Sequence, residues 1–543
     1  MEDATLMLPP VDAVLHVLRD EGVRKVFGNP GTSELPFVDA LAGADDIEFV
    51  LGVHEGSVVA MADGYARATG RPAFVSLHIA AGLANGMVGL LNASRSRTPL
   101  VVTAGQQDRR HLASDPMLSG DLVGLARAAV KHTFDVQHAH DLPVMLRRAF
   151  ALAVQPPAGP VFLSIPMDLL QEDTPVATPA KSVVAALGAP DLTGAVEVLA
   201  SAERPAIVAG DGVGRARAVP ALVALAERLG ATVYHQPMHD GVNFPASHPA
   251  YAGALEPTNQ AIHARLEQHD VVLIVGCHAF MAHHYTPGPA VPHSVRVVQL
   301  DTDAAEIGRN FPVAAGLVGG FQSTMDALTD RLPTKPRITT DHRVRRAETH
   351  ATALTRYGPP PFDPLAAVHA IAAGFTEDTV VVEEAITSGV LLRSVLSLDL
   401  PGSLVHTVGG GLGSGIGAAV GTRLADPHRP VVAVLGDGCT MFGLQGLWSA
   451  AHYEVPVTFV VMNNGEYRTL KETLDRWDAR ASRRAGYPGF SLGPPALDFT
   501  RAASFFGIDA VRPGSLGELT TLVAESLTNP KPLLVDVPIT AHS

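Results

Sequence analysis

The sequence predicts an α/β protein with three doubly wound parallel-sheet domains. Short apolar runs of strand length alternate with helical stretches from Val23 to about Ile165, and a similar alternation runs from about Phe362 to Ile539. Strands that alternate with helices are typical of a parallel sheet covered on both faces. Hydrophobic residues make up 47% of the chain, enough for several large cores. The middle third adds the strand-like runs Ala206–Val208, Val271–Val275 and Val295–Leu300.

Two connectors divide the chain. The Pro- and Ala-rich stretch Thr174–Pro190 follows the first alternating region, and a polar, Pro-flanked linker, Pro333–Pro361, precedes the last one. We therefore predict domains at residues 1–175, 190–335 and 362–543. The length of 543 residues agrees with this division, because a domain commonly holds about 150 residues.

Charge and composition exclude several kinds of partner. The chain has 40 basic and 54 acidic residues and a net charge of −14. Binding to nucleic acid depends on neutralising phosphates with Lys and Arg, so we expect no such partner. No apolar run approaches the roughly 20 residues of a membrane helix, and the start, Met1–Ala4, lacks the basic region of a secretory signal. Two cysteines, Cys277 and Cys439, cannot form a disulfide framework. We expect a cytoplasmic protein that does not bind membranes.

The most informative polar residues follow two apolar runs of the last domain. Gly436-Asp437-Gly438 comes just after Val431–Leu435, and Asn464 comes just after Val457–Met462. Asp437 and Asn464 lie 27 positions apart, about the length of one βαβ unit without its flanking strands. Each polar group then falls at the carboxyl end of a buried strand, where open α/β sheets bind ligands. A carboxylate and an amide oxygen there suit Mg²⁺.

Each half of this pattern also has a purely structural explanation. Asp437 could cap a helix after a glycine turn, and Asn464-Gly465 could be an ordinary turn. Either half alone favours that explanation, but the two halves at this spacing favour a metal site.

Glu55 is the second candidate carboxylate. It lies where the strand-like Ile47–Leu51 gives way to a helical pattern that ends at Gly70. A carboxylate in the first turn of a helix also interacts favourably with the helix dipole. By itself, Glu55 favours that structural role.

The pattern of Gly436-Asp437-Gly438 followed by Asn463-Asn464 resembles the diphosphate-binding motif of thiamine-diphosphate (ThDP) enzymes. The resemblance implies that Asp437 and Asn464 are side-chain ligands of Mg²⁺ and that Glu466 supplies a backbone carbonyl. It implies that Glu55 shares a proton with the aminopyrimidine ring of the cofactor. The first and last domains would then be the pyrimidine-binding and diphosphate-binding domains, on either side of a middle domain.

Further stretches narrow the resemblance to the benzoylformate decarboxylase branch. Phe27–Phe37 looks like the first active-site loop of that branch, and Leu77–Gly82 looks like the second. The resemblance implies that Thr32 binds the substrate carboxylate and that His78 and His283 form the proton-transfer pair. His suits this task because its pKa lies near neutrality. His284, next in the chain, is the alternative to His283.

Other residues take implied roles around the cofactor and the substrate. Gly410 would accept a hydrogen bond from the aminopyrimidine through its carbonyl, and Leu412 would be the apolar wedge that bends the cofactor. His406 and Leu470 would line the substrate pocket. His406 stands where relatives have an aromatic pocket wall, so whether the substrate is an aryl 2-oxo acid stays undecided. The remaining predicted cofactor-binding residues are Thr387, Gly438, Cys439 and Tyr467. Cys439 could also be a reactive thiol or a small buried residue.

One glycine string of the middle domain bears on a second cofactor. Gly210–Gly214 follows a strand and resembles a dinucleotide loop, but a short glycine string is often only a tight turn. Some ThDP relatives bind FAD in this domain. We expect no FAD here.

The leading functional hypothesis is ThDP- and Mg²⁺-dependent decarboxylation of a small 2-oxo acid to an aldehyde and CO₂. A carboligase or lyase that uses the same intermediate is the second hypothesis, and a catalytically silent ThDP-binding subunit is the third. The resemblance implies that the site lies between two subunits. A homodimer would then be the smallest active unit, and a homotetramer is the expected assembly.

Overall fold

The computed structural model describes residues 6–282, 284–484 and 486–541. Within these residues the chain forms three six-stranded sheets and a separate two-stranded one. Every strand pair registered in the three large sheets is parallel, and helices flank the sheets. The predicted fold class is confirmed.

The first sheet lies in the N-terminal third. The strands of this region are β1 Leu6–Leu8, β2 Lys25–Gly28, β3 Glu48–Leu51, β4 Ala73–Leu77, β5 Leu100–Gln106, β6 His132–Asp135, β7 Val161–Pro166 and β8 Val176–Thr178. The helices are α1 Pro10–Asp20, α2 Leu35–Leu41, α3 Glu55–Thr69, α4 Ile79–Arg95, α5 Leu122–Ala126 and α6 Leu142–Val154. The sheet has the order β3-β2-β4-β5-β7-β6, while β1 pairs with β8 in antiparallel fashion.

The second sheet lies in the middle third. Its strands are β9 Pro205–Ala209, β10 Thr232–His235, β11 Tyr251–Ala254, β12 Val271–Val275, β13 Arg296–Asp301 and β14 Ala315–Val318. The helices are α7 Thr193–Ala200, α8 Asp211–Arg215, α9 Val219–Leu229, α10 Asn259–Leu266, α11 Phe321–Arg331 and α12 His342–Thr355. The order β11-β10-β9-β12-β13-β14 is that of the dinucleotide-binding α/β fold, with the order reversing between β9 and β12.

The third sheet lies in the C-terminal third. Its strands are β15 Val380–Glu384, β16 Leu404–His406, β17 Val431–Gly436, β18 Val457–Asn463, β19 Asp509–Val511 and β20 Leu533–Pro538. The helices are α13 Pro364–Ala373, α14 Ile386–Val395, α15 Gly415–Ala425, α16 Asp437–Gly443, α17 Gly446–His452, α18 Arg468–Arg476, α19 Arg480–Arg483, α20 Phe499–Phe505 and α21 Leu516–Ser526. The order β16-β15-β17-β18-β20-β19 repeats that of the first sheet, strand for strand.

The central strands are buried from end to end, which explains their unbroken apolar sequences. Val431–Leu435 and Val271–Val275 are each fully buried, as are the five residues Ala73–Leu77. A parallel strand covered by helices on both faces has no solvent side, so it shows no polar alternation. This property made the strands visible in the sequence.

The first and third domains pack through helices α3 and α15. The contact is close because small residues face each other: a Cβ added to Gly421 would lie 1.8 Å from the carbonyl oxygen of Met61. A Cβ added to Gly64 would likewise lie 2.1 Å from the carbonyl oxygen of Ala418. Larger side chains at these positions would push the helices apart.

The described chain divides into two compact units. One holds the described parts of 1–183, 356–393 and 409–543, and the other holds 184–355 and 394–408. The three predicted domain boundaries stay predictions. Among the helices that the structure describes, none combines the length and apolarity needed to cross a bilayer. The cytoplasmic location stays a prediction.

Candidate active site

Asp437 organises the carboxyl edge of the third sheet. It begins α16 directly after β17, and Asn464 follows the neighbouring strand β18. One carboxylate oxygen of Asp437 accepts hydrogen bonds from the backbone N–H groups of Asn464 (3.0 Å) and Gly465 (2.6 Å). The other accepts from the N–H of Gly438 at 2.7 Å. The two halves of the sequence pattern therefore meet at one point.

Burial raises the pKa of Asp437, and the backbone N–H groups around the carboxylate oppose that rise. Buried negative charge is costly unless it is compensated. A carboxylate oxygen has two lone pairs, so those directed at N–H groups leave capacity for a cation. The chemistry of this carboxylate fits a divalent metal.

The side chain of Glu466 forms ion pairs with residues of α18. Its carboxylate pairs with Lys471 and lies 3.8 Å from a guanidinium nitrogen of Arg468. Its backbone N–H donates to the side-chain oxygen of Asn464 at 3.1 Å. Among the described residues there is no group of three His, Cys, Asp or Glu side chains suited to a metal. The predicted set of one carboxylate, one amide and one backbone carbonyl does not need one.

The start of α16 packs closely against a tyrosine ring. A Cβ on Gly438 would lie 2.6 Å from the ring of Tyr467, so only glycine allows this approach. Cys439 follows and is buried, and this burial raises the pKa of its thiol. A buried neutral thiol is a poor nucleophile. Between the two possibilities for Cys439, this environment favours the small buried residue.

The glycine run before α15 is held by a residue of the first domain. Asn92 of α4 donates to the carbonyl of Gly411 (2.8 Å) and accepts from its N–H (3.0 Å). Gly410 has a φ of +78°, and apart from its chain neighbours no atom of the described residues lies within 4 Å of a Cβ built on it. Leu412 is half-buried. Open space therefore adjoins the Cα of Gly410, and its role toward a cofactor stays a prediction.

Glu384, at the end of β15, is a buried carboxylate that the sequence pattern did not reveal. Its two oxygens accept from the N–H groups of Gly413 (2.9 Å), Ser414 (3.1 Å) and Gly415 (2.9 Å). Burial raises the pKa of Glu384 to about 7. Glu384 satisfies the free N–H groups at the start of α15 and fixes the loop that carries Gly410.

Glu55 lies at the carboxyl edge of the first sheet, as the first residue of α3. It is buried, and each carboxylate oxygen accepts one amide hydrogen bond, from Asn29 at 3.1 Å and from Asn85 at 3.0 Å. His54 caps the helix by accepting from the N–H of Gly56. Two side-chain amides thus fix the plane of this carboxylate, which helix-dipole stabilisation alone does not require.

His78 is oriented by Glu34, a residue absent from the sequence-predicted set. The Nδ1 atom of His78 lies 2.8 Å from Oε2 of Glu34 and 3.1 Å from Oγ of Ser33. Glu34 is buried and also accepts from Ser33 and from the N–H groups of Gly31 and Gly105. Because a carboxylate only accepts, Nδ1 carries the proton, and Nε2 of neutral His78 is left to take one.

The backbone is strained directly after His78. Ile79 is fully buried and has a φ of +49°. This left-handed region is rare for β-branched residues. Such strain is typical of functional sites held by the surrounding structure. The turn here lets β4 end and α4 begin with His78 at the sheet edge.

The other predicted residues are spread over both units. Thr32 is exposed at the start of a short 3₁₀ helix, Thr32–Glu34, and Leu470 is exposed on α18. Thr387 is half-buried in α14. His406 is buried in β16, where its N–H donates to the carbonyl of Asp240 at 3.3 Å. His283 lies outside the described residues.

The glycine string of the middle domain contacts protein groups. A Cβ on Gly210 would lie 2.3 Å from the carbonyl oxygen of Gly276. Directly after Gly210 in the chain, the buried carboxylate of Asp211 accepts hydrogen bonds from the side-chain amides of Gln236 (2.6 Å) and Asn243 (2.7 Å). These contacts explain the glycines by internal packing. The expectation that no FAD binds stays a prediction.

Comparison with known protein families gives matches along most of the chain. Residues 11–144 match the thiamine pyrophosphate enzyme N-terminal TPP binding domain, residues 192–328 match the central domain, and residues 388–537 match the C-terminal TPP binding domain. Thiamine pyrophosphate is another name for thiamine diphosphate. The first and third matches contain Glu55 and Asp437, respectively.

Individual relatives cover nearly the whole chain. A benzoylformate decarboxylase of Pseudomonas aeruginosa is 36% identical, over 97% of this chain and 98% of its own length. Acetolactate synthase isozyme 3 large subunit of Escherichia coli is 28% identical, over 98% of this chain and 95% of its own.

Solved structures show the same likeness. The thiamine diphosphate-dependent 4-hydroxybenzoylformate decarboxylase of Rhodococcus jostii RHA1 superposes with a TM-score of 0.86 at 31% identity, covering 98% of this chain and 99% of that one. Benzoylformate decarboxylase of Polynucleobacter necessarius gives a TM-score of 0.90 at 28% identity, with 99% of each chain covered.

Proposed function

The chain belongs to the thiamine-diphosphate-dependent enzymes, and from that membership we propose that it removes CO₂ from a 2-oxo acid and releases an aldehyde. The observation that carries the proposal is the arrangement at the first sheet edge. A carboxylate fixed by two amides, Glu55, is found at the same edge as a His78 imidazole held by Glu34. One group suits activation of the cofactor, and the other suits proton transfer to the product.

The third sheet edge would hold the diphosphate through Mg²⁺. Asp437, Asn464 and the backbone carbonyl of Glu466 are the proposed metal ligands, and all are oxygen donors of the kind that Mg²⁺ prefers. Gly438 and Tyr467 would line the diphosphate. When bound, ThDP supplies the nucleophilic carbon and the electron-withdrawing ring that decarboxylation needs.

Glu55 is proposed to hold a proton between its carboxylate and the aminopyrimidine. The amides of Asn29 and Asn85 each occupy one oxygen of Glu55, so the carboxylate cannot rotate away without losing both bonds. At the other side of the cofactor, Gly410 would accept through its carbonyl, and Leu412 would set the bend. Cys439 and Thr387 would pack beside it.

His78 is proposed to move the proton that leads to aldehyde release. Glu34 fixes the Nδ1 side of the ring, so proton transfer falls to Nε2. His283 would be the second proton-transfer residue, with His284 as the alternative. Thr32 would bind the substrate carboxylate, and His406 and Leu470 would line the pocket.

We propose that two subunits form each active site. Exposed apolar side chains border the glycine loop of the candidate site: Val88 beside Gly411, and Phe442 beside Gly413. Exposed apolar side chains beside a candidate site are consistent with an interface. A homodimer would be the smallest active unit, with a homotetramer as the expected assembly.

A mixing experiment tests the two-subunit site. Glu55→Gln and Asp437→Asn variants, each inactive, are mixed under conditions that exchange subunits. If each site takes Glu55 from one subunit and Asp437 from the other, half of the sites in a mixed dimer are intact, and about a quarter of wild-type activity returns. No recovery, with exchange verified by tagged subunits, would place each site within one chain.

Carboligation is the second candidate, favoured by the likeness to acetolactate synthases along nearly the whole chain. The two reactions differ in whether a proton or an aldehyde captures the carbanion. Incubation with a panel of aryl, branched, linear and polar 2-oxo acids, with ThDP and Mg²⁺, distinguishes them. Aldehyde equal to the CO₂ released supports decarboxylation. A hydroxyketone formed when an acceptor aldehyde is added supports carboligation, and no CO₂ from any acid supports a catalytically silent subunit.

A further inference from the structure

A cavity of about 240 Å³ opens at the edge of the first sheet opposite the candidate active site. It lies at the starts of β2 and β4 and at the end of α3, and its lining includes Arg24, Lys25, Tyr65, Thr69 and Arg71. His78 follows the other end of the five-residue strand β4, roughly 17 Å away at about 3.3 Å per residue. The cavity is therefore distinct from the candidate active site.

The charges around this cavity do not balance. Arg24 lies 3.6 Å from Asp46, which also pairs with Arg19, and Lys25 pairs with Glu48. The guanidinium of Arg71 forms no ion pair and no hydrogen bond with any residue that the structure describes. Arg19, Arg24 and Lys25 thus share two acidic side chains, while Arg71 has none within the described chain.

Tyr65 adds a neutral donor to the same cavity. Burial raises the pKa of Tyr65, so its hydroxyl keeps its proton at neutral pH. The ring packs against Phe27 with the centroids 5.2 Å apart. Within the described part of the chain, the hydroxyl has no hydrogen-bond partner. A rigid donor and a planar cation therefore line the same cavity, each with hydrogen-bonding capacity to spare.

The end of α3 offers a simpler reason for a cation at Arg71, because the carboxyl end of a helix attracts positive charge. That attraction does not account for the cavity or for the unpartnered hydroxyl of Tyr65. An anion in the cavity would use all three features.

We propose that this cavity binds a small anion with a carboxylate or phosphate group, held by the guanidinium of Arg71 and the hydroxyl of Tyr65. Arg forms paired hydrogen bonds with both kinds of group. The volume is below that of pockets for drug-sized ligands, which favours a small metabolite or inorganic phosphate over a nucleotide. The proposal does not depend on the reaction at the other edge of the sheet.

Isothermal titration of the ThDP- and Mg²⁺-loaded protein with inorganic phosphate and, separately, with acetate tests the site at constant ionic strength. Loading keeps the diphosphate site filled. We expect saturable binding of at least one anion, weakened about tenfold by Arg71→Met, because a charged paired contact is lost. Tyr65→Phe should weaken it by a smaller factor. Arg127→Met, at an exposed arginine whose side chain has no partner among the described residues, is the matched control and should bind normally.

Two results would overturn the proposal: no saturable binding of either anion, or wild-type affinity in Arg71→Met. If Arg71→Met does not fold, Arg71→Lys replaces it. Arg71→Lys keeps the charge but loses the paired hydrogen-bond geometry. If Arg71→Lys and Tyr65→Phe, as two single variants, both bind the anion with wild-type affinity, the proposed site is contradicted.

Discussion

The first and third sheets have the same strand order, yet their carboxyl edges carry different chemistry. The first edge presents acid–base side chains, with Glu55 between two amides and His78 against Glu34. The third edge presents oxygen donors and backbone N–H groups around Asp437. Under the proposed function, one architecture would support proton transfer at one edge and metal–diphosphate binding at another. The fold sets where the edge lies, and the residues after each strand set what it does.

The largest expected effect comes from Glu55→Gln at the first edge. The amide keeps the shape but cannot hold the shared proton, so turnover should fall by about 100- to 10,000-fold. Circular dichroism should show an intact fold. Glu197→Gln, an exposed glutamate on α7, is the control. Near-normal CO₂ release in Glu55→Gln would refute the catalytic role.

Asp437→Asn at the third edge should act on binding and leave the first edge unaffected. Loss of the anionic oxygen should weaken ThDP retention by about 100-fold at fixed Mg²⁺. Fluorescence titration with ThDP at several Mg²⁺ concentrations measures this. Asp426→Asn, just after α15, should titrate like the wild type. Unchanged ThDP affinity in the Asp437→Asn variant would contradict the proposal that the third edge binds the diphosphate through Mg²⁺.

Glu34→Gln tests whether the first edge works as a unit. Loss of the charged partner frees the His78 ring, so kcat should fall about tenfold while KM and ThDP affinity change little. The Ser33→Ala variant keeps the hydrogen bond between His78 and Glu34, so its kcat should fall less. Steady-state kinetics on both variants decides, and an equal loss in Ser33→Ala would mean that the hydroxyl orients the ring.

Glu384 gives the smallest effect, on stability. Its pKa in the folded chain is about 7, against an ordinary value of 4.5. Between these pH values the folded state binds one more proton than the unfolded state, so stability falls as pH rises through that range. Glu384→Gln removes this contribution.

Urea unfolding at pH 5 and pH 8 measures the effect of Glu384. The urea midpoint of the Glu384→Gln variant, compared with that of the wild type, should be higher at pH 8 than at pH 5. An unchanged difference between the two proteins at the two pH values would show that Glu384 is ionised throughout.

Sequence reasoning singled out Asp437, Asn464, Glu55 and His78 as site candidates but did not include Glu34, which orients His78. Asp437 and Asn464 follow long apolar strands, and that position is visible in a sequence. Glu34 contacts His78 from 44 positions away. The contact exists because β2 and β4 are neighbours in the sheet, with β3 outside them. Strand order is set by packing and cannot be read from apolar runs.

The sequence by itself determined the α/β class, the strands and the polar residues at their ends, because burial on both faces of a parallel strand requires a continuous apolar run. Only the tertiary structure decided which distant groups meet. It placed the two amides on Glu55, the carboxylate of Glu34 on His78, the left-handed backbone at Ile79 and the basic cavity at Arg71. These depend on loop paths and side-chain directions, which long-range packing fixes and local patterns do not encode.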